Sequence, residues 1–361
     1  MRRFLQRLLT KPVINLANRF SSRPDKSCVF AALKQLYRQI TNQQQNKGQI
    51  ITFKPLQDKF VIFSDQHKGA RNDADDFARS ERNYLAALNY YNEQGFTCIC
   101  LGDSEELWEN HLDTVRKHNK ATFEAEKLFL QRGAFIKIFG NHDLYWGNDP
   151  LASVMLKEVY GQEVKIYEGL ILRLAGQQMD VYLTHGHQGD LQSDGNWFSK
   201  WFVATIWERL QAYLRINPNT PATNDDLKTL HNTMMYEWSA AQTDLLLITG
   251  HTHQPVFASV THIEKLYQQL ESAKAASDVQ AINSLQQQIN QRHLKGDTSL
   301  NFKGYKDTYF NSGCCCFDDG DITGIEIADG CIRLIKWKYE SNNQSKRFIL
   351  EESKLTDLKV A

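Results

Sequence analysis

An α/β fold is predicted by two features of this chain. Short apolar runs recur along it, each ending in a polar, chemically capable cluster, and helix-like segments lie between the first three. Apolar runs of this length suit strands buried on both faces, and strands alternating with helices form βαβ units. In such sheets, sites form beyond the carboxyl ends of the strands, and the polar clusters sit at such ends. The 361 residues are enough for one large domain or two ordinary ones. A hydrophobic share of 42% supports a sizeable core and opposes wholesale disorder.

Residues 1–48 read as a basic helical extension. "MRRFLQRLLTKPVINLANRF" has no acid and places Phe4, Leu5, Leu8 and Leu9 at helical spacing. It lacks the long apolar centre of a secretory signal. Three accounts fit it: a helix docked on the domain with its arginines in water, a helix lying on an anionic membrane, or, in a eukaryote, a mitochondrial transit peptide.

The main domain spans 49–345. Its strand-like runs are "KFVIFSDQH" (59–67), "FTCICLGD" (96–103), "AFIKIFGNHD" (134–143), "MDVYLTHGH" (179–187) and "LLLITGHTH" (245–253). "DADDFARSERNYLAALNYYNEQG" (73–95) is a helix closed by Gly95. Two insertions interrupt the pattern. Residues 195–243 form an apolar, tryptophan-rich helical segment, and 261–295 form a polar helical hairpin whose second helix Ser277-Asp278 caps. Strands return at "DTYFNSGCCCFDD" (307–319) and "DITGIEIADGCIRLIKWKY" (321–339), where "ADG" makes a hairpin turn. Residues 346–361 read as a charged C-terminal tail.

The seven cysteines are odd in number, contain no CxxC pair and include the run Cys314-Cys315-Cys316. They read as reduced thiols of a cytoplasmic protein, the run as small apolar strand residues. No transmembrane stretch of about 18 apolar residues occurs. Lys+Arg and Asp+Glu both number 42, so there is no basic excess for nucleic acid.

The strand ends collect metal-capable residues: Asp65 and His67, then Asp103, then Asn141, His142 and Asp143, then His185 and His187, then His251 and His253. Six of the eleven histidines lie in these short clusters. In an extended chain His251 and His253 point to the same side. Carboxylates, imidazoles and one amide, with no cysteine, suit Mn²⁺, Fe²⁺ or Zn²⁺ and oppose a thiolate structural site. The donors exceed one ion's needs. Two ions about 3.5–4 Å apart, sharing a bridging carboxylate, clamp a phosphate and activate the attacking water. Singly, each cluster has a plainer account: "GNHD" as a turn, "GDSEE" as an acidic helix start.

The series "SDQH", "GDSEE", "GNHD", "THGH", "GHTH" resembles the calcineurin-like metallophosphoesterases, whose motifs run D-x-H, G-D-x-x-D/E, G-N-H-D/E, H and G-H-x-H. The likeness covers roughly residues 50–255 and the returning strands, but neither the N-terminal extension nor 261–295. It implies a four-layer αββα sandwich, two sheets flanked by helices, with helical insertions. It implies Asp65, His67 and His253 on one metal, Asn141, His185 and His251 on the other, and Asp103 bridging. His142 would stabilise the substrate phosphate and protonate the leaving oxygen, with Asp143 orienting it. A hydroxide on two divalent ions, Mn²⁺ foremost with Fe²⁺ or Zn²⁺ as alternatives, would attack a phosphomonoester, phosphodiester or pyrophosphate in line. Lys68, Arg71 and His187 are substrate-side candidates, the first two for their charge.

"GDSEELW" (102–108) is similar to the GD-x-x-E-x-W of UDP-2,3-diacylglucosamine pyrophosphatases, and 195–243 occupies the interval of their apolar lid. Its Trp197, Phe198, Trp201, Phe202 and Trp207 either receive acyl chains or rest on a membrane, or simply pack on the core. That subgroup has Arg where this chain has His142. The expected partner is a phosphorylated small molecule or lipid-linked substrate, with peripheral membrane contact through the N-terminus or the lid. A non-catalytic scaffold and a nuclease are the competing classes. The unbroken motifs oppose the first, and the lack of a basic-aromatic groove opposes the second.

Overall fold

The computed structural model describes residues 25–44, 47–72, 75–189, 225–294, 306–340 and 344–358. The chain enters through α1 (Lys26–Thr41) and β1 (Gly48–Phe53). It continues through β2 (Phe60–Phe63), α2 (Glu81–Glu93), β3 (Thr97–Leu101), α3 (Leu112–His118), α4 (Lys120–Gln131) and β4 (Phe135–Ile138). Then come α5 (Tyr145–Asn148), α6 (Ala152–Tyr160), β5 (Ile166–Tyr167), β6 (Gly169–Leu174), β7 (Asp180–Thr184), α7 (Asp225–Ala240) and β8 (Leu245–Thr249). The last elements are β9 (Val256–Phe257), β10 (Val260–Thr261), α8 (His262–Ala275), α9 (Val279–Leu294), β11 (Tyr309–Asn311), β12 (Ile322–Ala328), β13 (Cys331–Tyr339) and β14 (Ser345–Lys354).

The strands form two mixed sheets. One runs β1-β6-β7-β8-β11-β9-β10, the other β14-β13-β12-β2-β3-β4-β5. Side-chain alternation explains how they stack. Phe60 and Ile62 of β2, Ile99 and Leu101 of β3, and Ile136 and Ile138 of β4 face Leu170, Val181, Leu183, Leu246 and Ile248 of the other sheet. The intervening residues Val61, Phe63, Cys98 and Cys100 face outward onto Tyr84, Leu88 and Tyr91 of α2 and Phe123 and Phe129 of α4. On the opposite outer face, Tyr182, Leu245 and Leu247 meet α1 and α7. Three apolar layers between four layers of structure make an αββα sandwich, the α/β class expected.

Three boundaries differ from the sequence-based expectation. Val29, Leu33, Leu36 and Ile40 are buried along one stripe of α1, so Lys26–Thr41 is part of the outer layer rather than an extension. Its N-cap is Asp25, whose Oδ1 accepts the Cys28 N–H at 2.9 Å. Residues 1–24 lie outside the described residues. The charged C-terminal stretch is not a tail through Lys354: β14 pairs with β13 from Tyr339↔Ser345 to Cys331↔Lys354. The helix expected over 73–95 begins only at Glu81, after a 3₁₀ turn over Asp76–Arg79.

Of the 195–243 insertion, α7 supplies Met234, Met235 and Trp238 to the core. Residues 190–224, with the aromatics proposed as a lid, lie outside the described residues. α8 and α9 pack through Leu266, Leu270 and Ile289, and Asp278 Oδ1 accepts the Ala281 N–H at 3.0 Å. No helix among the described residues is long and apolar enough to cross a membrane.

The helix-side core under β3 and β4 holds four buried charges. Lys68 Nζ lies 2.7 Å from Glu126 and 3.1 Å from Glu105, and Lys137 Nζ lies 2.8 Å from Glu105. Trp146 Nε1 donates to Glu105 and the Tyr160 hydroxyl to Glu126, so the carboxylates are further satisfied. Burial alone would raise the Glu105 pKa, but Lys137 and Lys68 outweigh it and hold it at about 2, below the usual 4.5. Its stabilising contribution is therefore complete above pH 4.5 and is lost as pH falls toward 2. Lys137→Met, by leaving Glu105 short of a partner, is expected to cost about 3–5 kcal/mol in urea unfolding at pH 7. An unchanged unfolding midpoint would show that this network contributes nothing net.

Candidate functional site

β2, β3 and β4 of one sheet and β7 and β8 of the other end at the same level, and the segment after each carries the predicted residues. Backbone bonds knit the ends together. Asp65 N–H donates to Gly102 O at 3.1 Å, His67 N–H to Asp103 O at 2.9 Å, and Gly250 N–H to His185 O at 3.0 Å. Two glycines let the loops approach this closely. A Cβ on Gly140 would lie 2.6 Å from Asp103 N and 2.7 Å from His185 Cδ2, and one on Gly250 would lie 2.5 Å from Asp65 Oδ2.

Asp65, His67, Asp103, His251 and His253 all adopt positive φ, at 53°, 51°, 49°, 70° and 57°. A left-handed residue with a Cβ costs roughly 1–2 kcal/mol, and such strain concentrates at functional sites. It also corrects one expectation. His251 and His253 do not share a side through strand alternation, because β8 ends at Thr249 and both histidines are left-handed.

The two aspartates divide their oxygens. Asp65 Oδ2 accepts from Ser64 Oγ and from His251 N–H, the latter at 3.0 Å. Asp103 Oδ1 accepts the His142 N–H at 2.7 Å. The other oxygens face the imidazoles. Asp65 Oδ1 is 3.2 Å from His253 Nε2 and 3.9 Å from both His67 Nε2 and His185 Nε2. Asp103 Oδ2 is 3.0 Å from His185 Nε2 and 3.9 Å from His67 Nε2. His67 Nε2 and His253 Nε2 are 3.2 Å apart, and His185 Nε2 is 3.2 Å from Asn141 Oδ1. Asp103, His185 and His251 form one group able to hold an ion, and Asp103 also groups with His67 and His142.

These donors fit divalent ions. Among the described residues, Asp65 Oδ1 and His251 Nε2 are buried without a hydrogen-bond partner, a costly state that a metal bond would relieve. The far nitrogens are anchored: His185 Nδ1 donates to Leu101 O at 2.8 Å, and His67 Nδ1 to Glu106 Oε2 at 2.9 Å. That arrangement fixes the tautomer and aims Nε2 inward, as metal-ligating histidines require. Burial raises the Asp103 pKa, but His185 and His142 overcome this and keep it well below the ordinary range, as a ligand carboxylate needs.

His142 is held by a different partner from the one expected. Its Nδ1 bonds Glu106 Oε2 at 2.7 Å, and the Trp108 indole stacks on its face at 4.5 Å. Asp143 does not orient it. That carboxylate accepts the backbone N–H groups of Gly140 at 2.5 Å, Ser104 at 2.9 Å and Asp103 at 3.3 Å, and so shapes the loops. Burial opposes charge on His142, yet Glu106 and Asp103 hold its pKa up to about 10.

The charged substrate-side candidates are engaged elsewhere. Lys68 is fully buried against Glu105 and Glu126, turned away from the site by the step in the chain after left-handed His67. Arg71 pairs with Glu81 at 2.5 Å and donates to Asn119 Oδ1 and His118 O. His187 does lie at the site, 5.5 Å from the His185 ring. Burial and His185 lower its pKa to about 3, so it is neutral.

Sequence reasoning missed five contributors. Glu106 joins His67 to His142. His231 of α7 packs its ring 5.0 Å from that of His251. Asn232 accepts from Thr252 Oγ1 and the Tyr309 hydroxyl, and Asn311 Nδ2 donates to Gly250 O at 2.7 Å. Cys316 touches His253. Only Glu106 and Asn311, inside "GDSEELW" and "FNSG", carried any local signal.

No protein-family model and no curated protein matches the sequence. Among solved structures, vacuolar protein sorting 29 from Cryptosporidium parvum is similar at 11% identity and a TM-score of 0.32, over 82% of this chain and 98% of that one.

Proposed function

We propose that this chain is a two-metal phosphoesterase of the calcineurin-like kind, hydrolysing a phosphate ester or anhydride. One observation carries the reading. The buried Asp103 Oδ2 lies 3.0 Å from His185 Nε2 and 3.9 Å from His67 Nε2, and among the described residues Asp65 Oδ1 and His251 Nε2 have no hydrogen-bond partner. Asp65, His67, His253 and Asp103 would hold one ion, and Asp103, Asn141, His185 and His251 the other. Mn²⁺ is the ion proposed, since oxygen and imidazole donors dominate. When bound, such ions acidify water and polarise phosphoryl oxygens.

The chain's own residues supply the rest. His142, charged at neutral pH, stabilises negative charge on the phosphate and gives a proton to the leaving oxygen. Glu106 and Trp108 hold the ring in place. Neutral His187 offers a polar edge for substrate without adding charge. A scaffold has no need of strained ligand residues and orphaned donors. An acylated UDP-sugar remains the second substrate class, favoured by "GDSEELW", although the stack of Trp108 on His142 accounts for that tryptophan without a lipid.

Asp103→Asn is expected to lower Mn²⁺-dependent turnover of an aryl phosphodiester by more than about 100-fold, beyond the usual cost of losing an outer-shell partner. Elemental analysis of the purified variant should show metal lost with it. Full turnover with full metal content would reject the two-metal reading. A second expectation concerns pH. His142 must be protonated to act as an acid, so the rate falls as pH rises through its pKa. Glu106→Gln removes a carboxylate that raises that pKa, and the alkaline limb of the pH–rate profile should move to lower pH. An unmoved limb would assign it to another group.

A further inference from the structure

We propose that β14 is a dimerisation edge, pairing antiparallel with β14 of a second copy of this chain so that two sheets become one. β14 ends its sheet. β13 holds one side of it, and among the described residues no strand pairs with the other. Its ten residues, about 33 Å of strand, present a row of backbone N–H and C=O groups able to pair with another chain. Phe348, Ile349 and Leu350 stand in the middle of that row, 38%, 47% and 46% exposed. Among the described residues, no other run of consecutive large hydrophobics is exposed. Charge placed on an edge strand discourages such pairing, but here the charges flank the centre and leave it apolar.

The order of those charges selects the occupant. Lys346 and Arg347 precede the apolar centre, and Glu351 and Glu352 follow it. A parallel copy would set like against like, and a wholly basic or wholly acidic strand would be repelled at one end. Reversed, the strand complements itself, as a two-fold interface requires. With the axis at Ile349–Leu350, the basic half of each copy meets the acidic half of the other. Within the chain the four charges pair with Glu340, Glu326, Lys265 and Arg333 in turn. Lys346 and Glu352 keep 48% and 45% of their side chains exposed, so these surface pairs, worth little alone, leave both open to a second partner. The register against β13 slips by one residue here: Ile335 is opposite Ile349 and Leu334 opposite Glu351, which makes Leu350 the extra residue of a bulge. A bulge turns most edges away from pairing. At a two-fold axis, however, the extra residue of one copy meets that of the other and the flanks stay in phase. The two Phe348 rings then become diagonal neighbours about 7–8 Å apart, within aromatic reach. The inference is independent of whether the chain hydrolyses anything.

Sedimentation equilibrium of the full-length chain tests this. The wild type should dimerise with a Kd of about 10 μM or tighter, within the range of specific interfaces. Lys346→Glu and Glu352→Lys should each weaken the dimer about 10-fold or more, because each sets like charges together at both ends of the strand pair. Mixed in equal amounts, the two variants should regain wild-type affinity, since every end is then matched. Loss of the ion pairs within one chain predicts no such rescue. Leu350→Lys, on the surface, should give a monomer with an unchanged circular dichroism spectrum. A wild type still monomeric at about 100 μM, a dimer that survives Leu350→Lys, or a mixture no tighter than its parts would each overturn the proposal.

Discussion

The two sheets must end at the same point, and the rest of the site depends on the hydrogen bonds that make them do so. Asp65, from the sheet containing β2, accepts the backbone N–H of His251, which follows β8 of the other sheet. His185, which follows β7, returns the tie by bonding Leu101 O at the end of β3. Each bond crosses the sandwich where apolar packing stops. Without them, the loops at the top of the two sheets would have no reason to keep a common level.

These crossings account for the local strain. Five candidate ligands are left-handed, at roughly 1–2 kcal/mol each. Hydrogen bonds to charged carboxylates contribute roughly 1.5–3 kcal/mol apiece, and the backbone of His142 and of His251 each donates one. The offset is local and partial. An ion on the inward-facing oxygens Asp65 Oδ1 and Asp103 Oδ2 would stabilise the same strained turns. Loop geometry and ion binding are then one equilibrium rather than two.

Much of this was legible in the sequence because strand ends write themselves as apolar runs that stop at polar residues. The runs at 59–67, 96–103, 134–143, 179–187 and 245–253 each contain a strand, and the residues just beyond them converge. Which sheet each strand joins was not legible. β2–β4 and β7–β8 look alike in hydrophobicity but belong to different sheets. Side-chain direction was also hidden. Lys68 and His67 are adjacent, yet one enters the ion-paired core and the other the site, because a left-handed turn cannot be read from "DQHK". Glu106 takes the role expected of Asp143 for a similar reason. Both are acids near His142 in sequence or motif, and only the folded loops decide which carboxylate meets the ring and which meets backbone N–H groups. His231 and Cys316 reach the site from distant segments, so no local spacing announced them.

Glu106 has the most consequential geometry. One oxygen, Oε2, accepts from His67 Nδ1 at 2.9 Å and from His142 Nδ1 at 2.7 Å. A carboxylate cannot donate, so both histidines carry hydrogen on Nδ1. For His67 this leaves the Nε2 lone pair directed at Asp65 and Asp103, the form a ligand needs. For His142 the same bond supports a second proton on Nε2, the form an acid needs. Glu106 itself stays ionised: burial raises its pKa, but His142 and His67 bring it to about 2. One carboxylate oxygen thus anchors Nδ1 of two neighbouring rings. What separates the two is position. His67 Nε2 lies among the other inward-facing donors, whereas His142 is capped by Trp108. In the proposed phosphoesterase, ion loading at His67 and acid strength at His142 would be coupled through this single oxygen.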